Sequence, residues 1–265
     1  MTNVTTAPDF AGFHIEQDGV RGDIVLDQPD RLNPLSFETL LDLERAARWF
    51  DEQPQIRVVV VRGEGRVFCA GADVSAFDPE VTAASLPKRL GDSGRRMADA
   101  IEAMQAIVIA QIHGHCVGGG LVLAAACDLR VASSETSFSI PEVDLGIPLA
   151  WGGIPRLVRE IGPALTKELV ITCRPFDAAE AQSCGFLNRV VSADLLDSTV
   201  EELASLVASK PLHATQATKA ATNAVTRNMV GLSAAWSDAD SLNAGLQDPE
   251  GRASAAEYLA RMRSK

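Results

Sequence analysis

The sequence predicts an α/β core followed by a run of helices, and three observations carry that prediction. Apolar, β-branched runs alternate with amphipathic stretches up to about Gly162. Beyond that point the segments read as helical, apart from residues 188–191. Between the two regimes, residues 107–128 read as a buried strand that passes through a glycine turn into an apolar helix.

Residues 1–9 are polar and expected to be loose. Residues 13–16 and 22–26 read as two strands joined by the turn signal Asp18-Gly19. The stretch 28–36 is a turn ending at Ser36, an N-cap for an amphipathic helix over 37–50 with Leu40, Leu43, Ala47 and Phe50 on one stripe. Residues 57–62 are nearly continuous in valine, as in a strand buried on both faces. In the following loop, Gly63-x-Gly65 lacks a third glycine and opens no helix, so it is not a dinucleotide-binding turn. Ala70-Gly71-Ala72 then places three small residues before Asp73, where a backbone could touch a ligand; a tight turn explains the loop equally well.

Residues 77–94, with Pro79, Pro87, Gly91 and Gly94, are expected to form a mobile loop. A helix over 95–105 should turn Ala98, Ile101 and Met104 inward, followed by the strand 107–112, the glycine turn 113–120 and a buried helix over 121–126. A strand is expected at 128–132, and a short one within 136–146 broken by Pro141. A helix begins near Trp151, and further helices are predicted at 164–172, 178–184, 195–208, 212–225, 232–246 and 249–263. The division falls at 195, giving a core over 1–195 and a helical region over 196–265.

Composition narrows the function. The 24 basic and 35 acidic residues leave a net charge of -11, which argues against a general nucleic-acid binder but leaves room for a small anionic ligand. Five cysteines, an odd number without a Cys-x-x-Cys pair, suit a reducing compartment and support neither a disulfide framework nor a metal site. With no secretory leader pattern and no apolar run long enough for a bilayer, a cytoplasmic protein without a membrane partner is expected.

Gly118-Gly119-Gly120 at the start of an apolar helix leaves bare N–H groups at a helix N-terminus, where the dipole favours negative charge. A turn that merely packs helix on strand is the alternative. His113 and His115 flank this turn and read as packing residues, and Cys69 has no base beside it.

Taken jointly, Phe68-Cys69-Ala70-Gly71-Ala72-Asp73, Gly114-x-x-x-Gly118-Gly119-Gly120, Cys127-Asp128-Leu129-Arg130 and Pro141-Glu142 make the sequence resemble the crotonase superfamily, the enoyl-CoA hydratases and isomerases, over about residues 13–250. The resemblance implies a crotonase-like spiral of ββα repeats and a helical C-terminal region that builds a homotrimer or a dimer of trimers. It also implies a coenzyme A thioester as substrate, with no separate cofactor. By position, Ala70 and Gly119 would donate two backbone N–H groups to the thioester oxygen. Ala70, Gly71, Ala72 and Asp73 would line the coenzyme A path, with Arg31 and Asn33 matching the turn near its nucleotide end.

Hydratases of this family carry two glutamates. The second is Glu142; the first position holds Val122, which can neither hold water nor move a proton. A single carboxylate suffices to lift a proton from one carbon and return it two carbons away. The expectation is therefore double-bond isomerisation, Δ3 to Δ2, with Glu142 as sole acid/base, its pKa raised by an apolar pocket. Val122 would lie against the acyl chain, and Trp151 would either border that pocket or pack the helix start. Two alternatives stand: hydration of a 2-enoyl-CoA to a 3-hydroxyacyl-CoA, with water or Asp144 assisting Glu142, and a non-catalytic acyl-CoA-binding protein.

Overall fold

The computed structural model describes residues 7–73, 86–231 and 237–263. Strands β1 (Phe13–Asp18) and β2 (Arg21–Leu26) form the expected antiparallel hairpin. The next strands in the chain are β3 (Val58–Gly63), β4 (Ile107–Ile112), β5 (His115–Val117) and β6 (Leu129–Ser133). They are followed by β7 (Ser137–Ser139), β8 (Phe176–Asp177) and β9 (Arg189–Val191). The main sheet runs β1-β2-β3-β4-β6-β9, parallel from β2 onward; β5, β7 and β8 form a second, three-stranded sheet.

The valine run of β3 is buried on both faces because alternate side chains enter different cores. Val59 and Val61 join Val108 and Ala110 in the large core, while Val58 and Val60 join Ile109 and Val131 on the reverse side. The large core is covered by α1 (Phe37–Asp51), α2 (Leu86–Ala103) and α3 (Gly119–Ala126). Helix α1 starts where expected, with Ser36 Oγ accepting the Thr39 N–H at 3.1 Å. All eight residues of α3 are buried.

The remaining helices are α4 (Gly153–Thr172), α5 (Ala178–Ser183), α6 (Leu196–Ala208), α7 (Leu212–Met229), α8 (Asp238–Gln247) and α9 (Pro249–Arg263). Helix α4 joins the two helices expected around 151–157 and 164–172 through a kink at Gly162, φ 77°. Strands β5 and β8, three and two residues long, were not foreseen; they are too short to show a period.

The loop expected over 77–94 is corrected from residue 86 onward, where α2 is already formed; residues 77–85 lie outside the described residues. Gly91 and Gly94 look like helix breakers, but they sit inside α2 because neighbours come too close for a side chain. A Cβ on Gly91 would lie 2.9 Å from Ala239 Cα, and one on Gly94 would lie 2.2 Å from the Trp151 ring. Of the helix expected over 232–246, residues 232–236 lie outside the described residues, and α8 follows from Asp238.

The helices beyond residue 195 pack onto the core. Leu196, Val200, Leu203 and Ala204 of α6 close the reverse face of the main sheet. The α8–α9 corner meets the turn after Glu142 main chain to main chain: a Cβ on Gly146 would lie 2.3 Å from Gly251 Cα, and one on Gly251 would lie 2.4 Å from the Gly245 carbonyl oxygen. No helix among the described residues is long and apolar enough to cross a membrane.

Candidate active site

A cavity of about 50 Å³ opens where the 70–72 loop, the start of α3 and the 141–151 segment converge, and Leu242 of α8 is also among its described lining residues. Three stretches far apart in sequence meet there because β3 and β4 are parallel neighbours whose following loops emerge at the same sheet edge.

The first loop is fixed by its pairing with residues 32–35. The Leu35 N–H donates to the Gly71 carbonyl at 2.8 Å, and the Asp73 N–H donates to the Leu35 carbonyl at 3.1 Å. Ladder geometry then turns the Ala72 N–H away from Leu35, and Ala72 lines the cavity. The Ala70 N–H is committed, donating to the Leu32 carbonyl at 2.9 Å. The donor expected at Ala70 is therefore corrected: Ala72 and Gly119 line the cavity, and their N–H groups meet no acceptor among the described residues. Gly71, at φ 95°, brings the two segments together; a Cβ there would lie 2.7 Å from the Val117 carbonyl oxygen and 3.4 Å from Gly119 N.

Glu142 follows Pro141 on a turn closed by N–H donations from Leu145 and Ile147 to its carbonyl, at 3.1 and 3.0 Å. Its Oε2 is buried without a hydrogen-bond partner. Its Oε1 lies against Gly118, where a Cβ would come within 2.4 Å. Burial, which penalises the charged form, pushes the Glu142 carboxyl up to about 7. Val122 is fully buried and lines the same cavity. Glu142 is the one carboxylate among the described lining residues, whereas Asp144 is exposed and outside that lining.

Trp151 answers both readings left open for it. Its backbone is left-handed, φ 62°, and its ring both borders the cavity and packs between helices. A Cβ on Gly119 would lie 2.2 Å from Trp151 Cζ3, so the indole covers the residue that carries one free N–H.

The residues expected near the nucleotide end divide. The Arg31 side chain is more than half exposed and donates from Nη2 to Asp73 Oδ2 at 2.7 Å and from Nη1 to Gln28 Oε1 at 3.3 Å. Asn33 is corrected from ligand to strut. It is buried, its Oδ1 accepts the Gln28 N–H at 3.0 Å, and its Nδ2 donates toward the carbonyls of Glu64, Val67 and Phe68 at 2.9, 3.0 and 3.2 Å. His113 serves structure, with Nε2 2.9 Å from the Gly65 carbonyl oxygen. The Cys69 thiol is buried and pushed up to about 12 by desolvation, which removes it as a nucleophile near neutrality. No group of three or more metal-ligating side chains occurs among the described residues.

Sequence reasoning missed Gly118 as the seat of Glu142, and it missed Leu145, Ile147, Leu149 and Leu242 as walls. For Gly118 the signal was present in the glycine triplet. For Leu242, on a helix 100 residues from Glu142, no local signal exists.

Comparison with known proteins agrees with this geometry. The family model described as enoyl-CoA hydratase/isomerase matches residues 16–260. The chain is 36% identical over 201 residues to a crotonyl-CoA hydratase of Syntrophomonas wolfei, covering 76% of each chain. It is 34% identical over 208 residues to a peroxisomal Delta(3,5)-Delta(2,4)-dienoyl-CoA isomerase of Arabidopsis thaliana, covering 74% of this chain and 75% of that one. A solved enoyl-CoA hydratase/isomerase from Mycobacterium paratuberculosis superposes with a TM-score of 0.87 at 24% identity, over 94% of this chain and all of the other, which shows the same crotonase fold. With the family model spanning nearly the whole chain, the protein belongs to the enoyl-CoA hydratase/isomerase family of the crotonase superfamily.

Proposed function

We propose that the protein acts on an acyl-CoA thioester and shifts a double bond from the 3,4 to the 2,3 position through an enolate. What supports this reading is that Glu142 is the one carboxylate among the described lining residues, and that Val122, which also lines the cavity, occupies the position at which the family's hydratases carry their other glutamate. Ionised Glu142 takes a proton from C2 of the 3-enoyl thioester, and the electron pair moves toward the carbonyl oxygen. The same carboxyl, now protonated, returns the proton to C4 as the double bond settles between C2 and C3. Water is neither added nor lost.

The developing oxyanion needs donors that are already in place, and the Ala72 and Gly119 N–H groups supply them, Gly119 at the N-terminus of α3. Removing one such donor typically costs about 3–4 kcal/mol of barrier. Arg31, beside the same loop, is placed to meet an anionic group at the coenzyme end.

The second reading is hydration, favoured by the crotonyl-CoA hydratase name of one relative. Absorbance of the conjugated enoyl thioester separates the two. A rise on adding 3-enoyl-CoA supports isomerisation; a fall on adding 2-enoyl-CoA means water is being added. Binding of both thioesters with no change in either cuvette would leave a binding protein without chemistry.

A further inference from the structure

The walls around Glu142 carry a statement about which thioesters fit. Besides Ala72 and Gly119, the described lining residues include Val122, Leu149, Ala150, Trp151 and Leu242, all apolar. At about 50 Å³ it is far smaller than the roughly 300–1,000 Å³ of pockets that take drug-sized ligands. Trp151 is the bulkiest side chain among the described lining residues.

That side chain cannot step aside. Its ring is held between two helices at positions where only glycine fits: a Cβ on Gly94 of α2 or on Gly119 of α3 would each fall 2.2 Å from a ring atom. Its backbone sits at φ 62°, a conformation that a bulky residue adopts only where its surroundings impose it. The surroundings are identifiable. The next residue, Gly152, donates its N–H to Asp238 Oδ2 of α8 at 2.8 Å. The carbonyls of Trp151 and Gly152 accept from Arg156 Nη1 at 3.4 and 3.3 Å. Arg156 is itself fully buried and ion-paired at 2.9 Å to both Asp99 and Glu102 of α2. Three helices thus hold the indole against the residue that carries an oxyanion donor.

We infer that Trp151 is the end wall of the acyl site and restricts the protein to short, unbranched acyl thioesters. The inference rests on the thioester reading above and adds the substrate class to it. A hydrophobic pocket discriminates one methylene by about 10–200-fold, so a wall that cannot yield produces a sharp cut-off.

The test is binding, which does not depend on the reaction. Butanoyl-, hexanoyl-, octanoyl- and dodecanoyl-CoA are titrated into the wild-type protein and into Trp151→Gly, glycine being the residue that tolerates the left-handed backbone. The expected result is a wild-type affinity that falls at least about tenfold from butanoyl to octanoyl, and a flatter or reversed profile for the variant. Wild-type affinity that stays level or rises with chain length overturns the inference while leaving the thioester reading intact. A folded Trp151→Gly with the wild-type profile overturns Trp151 as the wall. Failure of every acyl-CoA to bind overturns the thioester reading and this inference with it. Should the variant not fold, the wild-type series decides alone.

Discussion

Gly118 and Glu142 are in direct contact across the cavity, with room for a hydrogen but not for a methyl group: an alanine Cβ at 118 would stand 2.4 Å from Glu142 Oε1. Gly118 also adopts φ 48°, which penalises any side chain. Gly118→Ala should therefore displace the carboxylate and lower kcat by about a hundredfold or more, the lower range for a lost acid/base group. Circular dichroism checks that the fold survives. Unchanged kcat in a folded variant would show that the position of Oε1 does not matter to turnover.

Glu142→Gln keeps the shape and removes the proton-carrying group. Turnover should fall by about 10²–10⁴-fold with thioester binding retained. In the wild type, the ionised form starts the reaction and its carboxyl sits at about 7, so kcat should rise with pH and level off above that value. The same limb surviving in the glutamine variant would assign it to another group.

The raised pKa also predicts a stability effect. On unfolding, the Glu142 carboxyl returns from about 7 to its ordinary 4.5. Below 4.5 both states hold the proton and the folded state bears no penalty. Between 4.5 and 7 the folded state keeps a proton that the unfolded state has lost, so stability declines as pH rises, and above 7 the full cost of a buried charge remains. At about 1.4 kcal/mol per pH unit, Glu142→Gln should gain about 2–3 kcal/mol on the wild type between pH 5 and pH 8. Urea melts of both proteins at the two pH values measure it; a constant gap would mean that the carboxyl is not desolvated.

Asn33→Ala distinguishes a strut from a ligand. Leaving the carbonyls of Glu64, Val67 and Phe68 without their donor should cost about 1–3 kcal/mol of stability. The Tm should fall accordingly. A variant with wild-type Tm and a raised KM would return Asn33 to the binding surface.

The parts of this site legible in the sequence are those that announce themselves locally. The strand and buried helix around Gly118–Gly120 show in an apolar run, a glycine cluster and a second apolar run. Glu142 is visible only through the family resemblance, which puts the second of the hydratases' two glutamates beside Pro141. The sequence points to Ala70 rather than Ala72 as the open N–H, because a backbone N–H has no letter of its own. Only the pairing of Leu35 with Gly71 and Asp73 reveals which amide turns outward. Asn33 misled for a related reason: a polar side chain in a turn reads the same whether it faces a ligand or three carbonyls. Gly91 and Gly94 read as breaks in the sequence because their purpose lies on other elements, in Ala239 and Trp151.

Main chain rests on main chain where Gly146, Gly245 and Gly251 meet, and no side chain is available there to absorb an error. A joint of this kind cannot be loosened by degrees. Any replacement of the three hydrogens acts as a wedge, prising the last two helices and Leu242 off the turn that carries Glu142. Deleting those helices would likewise strip one wall from the reaction chamber. The α8–α9 corner is thus held to the same tolerance as the cavity lining itself, and substitution at Gly245 or Gly251 should extinguish activity abruptly rather than erode it.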